Sequence, residues 1–284
     1  MLLLAGLAGL ATARANTDSL DTAIGLFKNH RVPEAREILV TLAAREPDNI
    51  QALWYLGRAD TLMQRREEAI LVLEHAKRLA PGDPHILADY GSACLLRASE
   101  LGVSLKGIGY ARRGRDALEQ AVQLAPDEIA YREGLVEFYK HAPAIVGGGL
   151  AKAYDQAAEI ARRNPLRGRI IKASIQAYDR HFAEARATCE EVLLTDPNNY
   201  LALYTLGRIA SESGEGLEQG EQALRHCLHL QPAAQEPDIA GVHFRLGLIA
   251  EKSGRPAVAR AEYQTALQLE PSFQQAIEAL ARLK

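Results

Sequence analysis

A chain of 284 residues that is 48% hydrophobic but only 6% aromatic must build its core from alanine and leucine rather than from large rings. Its formal charge of -3 provides no general basic field, which argues against nucleic acid or acidic lipid as partners. The three cysteines, Cys94, Cys189 and Cys227, form no CxxC pair, and each falls on an inward helical position where a thiol acts as a small hydrophobe.

Met1 to Ala15 is an apolar run closing on Ala13-Arg14-Ala15, the small-x-small pattern of a signal-peptidase site. It is shorter than the roughly 20 residues needed to cross about 30 Å of hydrocarbon. The expectation is a leader over 1–15, cleaved after Ala15, on an exported protein that is periplasmic or extracellular and has no stable membrane insertion.

Residues 16–284 read as helix pairs recurring at about 34 residues. Thr17 to Pro47 forms a divergent first unit with Ala35, Leu39 and Pro47 in register but Ala23 at the crossing position. The clearest unit is Ile50 to Pro81. Leu53 and Leu56 give its first helix an apolar face, and Gly57 lets a second helix cross closely because it lacks Cβ. Ala69, Leu73 and Ala76 form the facing stripe, and Pro81 ends it.

The third unit keeps Leu87, Tyr90, Gly91, Leu118, Ala121 and Pro126, with extra sequence over 98–115 expected to lengthen the connection between its helices. In the fourth, Leu135, Phe138 and Tyr139 mark a first helix and Ala153, Ala157 and Ile160 its second, with a turn carrying Gly147 to Gly149. Ala173, Ala185 and Cys189, then Leu203, Gly207 and Leu224, then Leu246, Gly247, Ala259 and Tyr263 mark three more units. The predicted bounds are 16–49, 50–83, 84–128, 129–165, 166–199, 200–239 and 240–273, with a cap over 274–284. The fold class is all-α: about seven pairs plus a capping helix, stacked because a lone pair cannot bury its apolar faces.

These residues resemble the tetratricopeptide-repeat superfamily, and EFYKHAPAIVGGGLAKA, NPLRG and RRGRDALEQAVQLAP narrow the likeness to exported bacterial members with an APxxxGGG segment. The resemblance implies a right-handed superhelix, or α-solenoid, whose first helices line a groove into which the fifth position of each unit projects. That position is held by Trp54, Tyr204 and Phe244, and Arg58 and Arg208 follow the first two by one turn. Trp, Tyr and Arg are enriched at interaction hot spots. The expectation is a non-catalytic scaffold without cofactor, holding a protein or peptide partner at Trp54, Arg58, Tyr204, Arg208 and Phe244.

The alternative is a metal- or anion-dependent enzyme or a small-anion-binding protein. His226 and His229 lie three apart beside Cys227, and free amides at Gly147 to Gly149 suit an anion. Lys106, Arg112, Arg113 and Arg115 form a local basic cluster, read as a solvated face. No GxSxG, HExxH, G-x-G-x-x-G or Walker loop is present.

Overall fold

The computed structural model describes residues 19–233 and 236–283; the expected leader lies outside them. Among the described residues are fifteen α-helices, one short 3-10 helix and no strand. In chain order they are α1 (Leu20–Lys28), α2 (Val32–Arg45), α3 (Ile50–Leu62), α4 (Arg66–Leu79), α5 (Pro84–Leu101), α6 (Leu105–Leu124) and α7 (Ile129–His141). After the 3-10 turn Ala144–Val146 come α8 (Leu150–Arg163), α9 (Pro165–Tyr178), α10 (Phe182–Thr195) and α11 (Tyr200–Ser213). The last four are α12 (Leu217–Cys227), α13 (Ile239–Lys252), α14 (Pro256–Leu269) and α15 (Gln274–Arg282). The helices form two compact units, one ending at Gly149 and the other beginning at Leu150.

In the first unit, the α3/α4 crossing follows from sequence directly. A Cβ on Gly57 would stand 2.4 Å from Leu73 Cγ, so the helix backbone sits against the leucine with no room for a methyl group. Ala69, Leu73 and Ala76 are fully buried. The next pair is closer still, because Gly91 of α5 and Gly114 of α6 face each other: a Cβ on Gly91 would lie 2.9 Å from the Gly114 carbonyl oxygen.

Several helix starts are set by side-chain caps. Asn49 Oδ1 accepts from the Ala52 amide at 3.0 Å, and Asn199 Oδ1 accepts from the Ala202 amide at 3.1 Å, each satisfying a donor that the first turn leaves open. Four helix ends share one device. His30, Gln64, Arg180 and Gly254 take left-handed backbone, with φ of 59°, 59°, 64° and 71°. The following amides of Arg31, Arg65, His181 and Arg255 donate to the carbonyls of Leu26, Asp60, Gln176 and Ala250. This is the Schellman closure.

One expectation is corrected. The extra sequence over 98–115 does not lengthen a loop: it extends both helices, so that α5 has 18 residues and α6 has 20, joined by residues 102–104 alone. Gly102, at φ 55°, stops α5, and Ser104 Oγ accepts from the Gly107 amide to start α6. Within the second unit α8 packs on α9, where a Cβ on Gly168 would meet Ala161 Cα at 2.3 Å.

In the second unit, Tyr200, Leu203, Leu224, Cys227, Val242, Leu246 and Ile249 form one core cluster. A second cluster joins Phe244, Ala259, Tyr263 and Ala266 to Ala276 and Ala279 of α15, which caps the stack.

Candidate functional site

In the first unit, the first helices of successive pairs place a continuous stripe of rings and charges on one face. Trp54, on α3, is half-buried against the cluster of Leu53, Ala76 and Ile86, and its ring lies 5.1 Å from Tyr55 and 5.9 Å from His85 of α5. Its indole Nε1 donates to Asp89 Oδ2 at 2.6 Å. Arg58, one turn on, stacks its guanidinium 4.9 Å from the centre of Phe27 and 5.1 Å from that of Trp54, and its Nε is 3.6 Å from the same Asp89 oxygen. His85 Nδ1 shares a hydrogen bond of 2.6 Å with the hydroxyl of Tyr131 on α7.

The electrostatics of the stripe are close to balanced. Burial pushes the Asp89 carboxyl above its ordinary value, opposed by the indole N–H and the Arg58 guanidinium, which both favour the charged form. Arg58 keeps about a third of its surface, at 35% exposure. The stripe therefore offers flat aromatic and guanidinium surface with the charge of Arg58 already met by Asp89.

In the second unit, Tyr204 is half-buried against the α11–α13 core, and Arg208 is engaged by Glu212, its Nε donating to Oε1 at 3.1 Å. Arg245 Nη1 reaches the same oxygen at 3.0 Å and also donates to Ser211 Oγ at 3.2 Å, so Glu212 is held between two arginines. Phe244 corrects the sequence reading. It is 8% exposed, with its ring 5.0 Å from Phe273 and 5.9 Å from Tyr263, and it belongs to the terminal core. The fifth position opens to a face only where nothing covers it, and here Phe273 and α15 do.

His85, Asp89 and Tyr131 were not among the residues singled out from sequence. Asp89 and His85 lie 35 and 31 positions after Trp54, near one repeat length, so stepping the register from one first helix to the next reaches them. Tyr131 follows His85 by 46 residues. The added turns of α5 and α6 take it off the 34-residue step.

The chemical alternatives meet specific obstacles. The amides of Gly147, Gly148 and Gly149 donate inward, to the carbonyls of Ala144, Pro143 and Tyr139 at 2.9, 3.2 and 2.8 Å, so the loop does not present them to an anion. Arg112 and Arg115 hold that loop, donating to the carbonyls of Ile145 and Val146 at 3.1 and 2.8 Å. Cys227 is fully buried with its thiol 3.7 Å from the Tyr200 carbonyl, and burial pushes that thiol up to about 12, whereas His229 is exposed. Among the described residues no three histidine, cysteine or carboxylate side chains gather as metal ligands, and no helix is long and apolar enough to cross a membrane.

Tetratricopeptide-repeat profiles match residues 26–88 and 240–273. The chain is 31% identical over 144 residues to cellulose synthase operon protein C of Pseudomonas fluorescens, a stretch covering 48% of this chain and 11% of that protein. It thus spans about a tenth of that relative's length. In fold it is similar to a tetratricopeptide repeat protein from Parabacteroides merdae, with a TM-score of 0.72 at 14% identity over 93% of this chain and 96% of that one. It is also similar to the human IFIT1 dimer with PPP-AAAA, with a TM-score of 0.62 at 16% identity over 93% of this chain and 62% of that one. At such identities these two structures show the fold alone.

Proposed function

For a chain that belongs to the tetratricopeptide-repeat superfamily, we propose a non-catalytic scaffold whose first-helix face holds a segment of a protein partner. The observation that carries this reading is the Phe27, Arg58, Trp54, Asp89, His85 stripe, in which three first helices contribute rings and hydrogen-bonding groups to one surface of the first unit and the buried Tyr131 fixes the His85 ring through its hydroxyl. Rigid aromatic surface with a few fixed polar groups supplies contact area at little entropic cost. Because Asp89 already faces Arg58, the segment that suits the stripe is apolar or aromatic with hydrogen-bonding groups, and less acidic than Arg58 alone would favour. Tyr204 and Arg208 form a second, separate candidate surface.

The setting we propose is the bacterial cell envelope. It is supported by the apolar leader with its Ala13-Arg14-Ala15 end and by the likeness to a protein named for a cellulose synthase operon. Affinity capture from an envelope extract tests the reading. A true partner should be depleted by Trp54→Ala, since a lost hot spot costs about 2 kcal/mol or more, and Tyr204→Ala reports on the second surface independently. An unchanged captured set with both substitutions, at intact helical content, would reject both surfaces.

A further inference from the structure

The lengthened α5/α6 hairpin carries a surface that the scaffold reading leaves unused. At its base, Arg97 Nη2 meets Glu67 Oε1 at 2.6 Å and Arg66 Nε meets Glu100 Oε1 at 3.2 Å, which sets the first turn of α4 level with residues 97–100. Leu101 to Lys106 therefore lie past the point at which α4 begins. At this tip, Val103 is 89% and Leu105 is 90% exposed, the two most exposed large apolar side chains among the described residues. Their placement is built in: Gly102 takes the left-handed turn, and Ser104 caps α6, so the two aliphatic groups project from the bend.

The second observation is charge. A hollow of about 330 Å³ opens beside the tip, lined by Glu67, Arg97, Lys106, Tyr110 and Arg113. Arg113, which lines the hollow, stacks 4.4 Å from the centre of Tyr110. Arg66 and Arg97 are met by Glu100 and Glu67 at the base, so Lys106 and Arg113 are the cations that give this end of the hairpin its positive charge, on a chain of formal charge -3.

We propose that this tip docks on an anionic membrane surface, with Val103 and Leu105 entering the interface and Lys106 and Arg113 gathering lipid phosphates. A protruding apolar bend lacks the concavity that would seat a protein side chain, whereas a fluid bilayer yields to it. Adjacent cations supply the second signal that a small apolar insertion needs in order to hold. The contact is peripheral and independent of the first-helix stripe.

The test is flotation of the full chain with phosphatidylcholine vesicles, with and without phosphatidylglycerol. The wild type should float with the anionic vesicles, stay down with the neutral ones and detach as salt rises. Val103→Asp/Leu105→Asp should lower partitioning about tenfold or more, and Lys106→Glu/Arg113→Glu should abolish the lipid preference. Trp54→Ala should float as the wild type does, which separates this surface from the scaffold face. Circular dichroism checks that the tip variants fold; their exposed positions remove little packing. Failure of the wild type to float, or flotation of the tip double variant at the wild-type level, would overturn the proposal. So would release by inorganic phosphate well beyond that by chloride at equal ionic strength, because it would make the hollow a site for a free anion.

Discussion

Trp54 of α3 and Asp89 of α5 are joined by a 2.6 Å indole-to-carboxylate hydrogen bond that couples two consecutive repeats on the proposed binding face. Trp54 is the one tryptophan of the chain, so intrinsic fluorescence reads this contact directly. Asp89→Ala should cost roughly 1 kcal/mol of stability and make the indole more accessible to acrylamide. Asp89→Asn keeps an acceptor for the indole while removing the charge that faces Arg58. Its quenching should stay near wild type. Equal quenching of all three proteins would show that the bond does not position the ring.

The crossing of α3 and α4 predicts a coupled pair of substitutions. Gly57→Ala forces a methyl group against Leu73 and should destabilise by about 1 to 3 kcal/mol. Leu73→Ala alone leaves a void in a fully buried site and should cost about 2 to 5 kcal/mol. In the double variant the new methyl group enters the space the leucine vacated. Denaturant unfolding should then give a total loss well below the sum of the singles.

That crossing was legible in the sequence, because only a residue without Cβ permits it, and Gly207 and Gly247 repeat it against Leu224 and Tyr263. The helix-ending prolines and the buried Ala69, Leu73 and Ala76 were legible for similar local reasons. The fate of Phe244 was not. It shares the register of Trp54, and its burial depends on Phe273 folding over it from beyond the last pair. Residues 98–115 misled because their glycines read as loop. Gly114 in fact serves a close crossing with Gly91, and only Gly102 of that stretch takes left-handed backbone. The anchoring of Arg112 and Arg115 on the carbonyls of Ile145 and Val146 depends on tertiary placement that spacing alone does not give.

The left-handed turn residues were also hidden, since three of the four Schellman turns hold an ordinary side chain where glycine is usual. Left-handed backbone costs a non-glycine residue about 1 to 2 kcal/mol, partly offset in a glycine variant by the greater freedom of the unfolded chain. Gln64→Gly should therefore raise stability by roughly 0.5 to 1 kcal/mol. Gly254→Ala should lower it by a similar amount, although a Cβ there meets nothing within 4 Å. Opposite shifts in the thermal midpoint are the expected result. Shifts of the same sign would mean that contacts of the Gln64 side chain, and not backbone conformation, decide the turn.

Glu221 of α12 gives the second unit a defined acid sensitivity. Its carboxylate accepts from Arg255 Nη2 at 2.5 Å and from Arg225 Nη2 at 2.8 Å, and these bonds, led by that from Arg255, hold its pKa below the ordinary value against the opposing effect of burial. A depressed folded-state value means that the unfolded chain takes up the proton first as pH falls. The stabilisation is complete above the ordinary carboxylate range, near pH 4 to 5, and is lost as pH drops through that range towards the folded value. Glu221→Gln removes the titration and weakens the grip on Arg255, which links α12 to the start of α14. The variant should be less stable than wild type at pH 7, and the gap between the two thermal midpoints should narrow steadily between about pH 5 and pH 3. A gap that stays constant across this interval would show that the pair contributes through packing of the Arg255 side chain and not through charge.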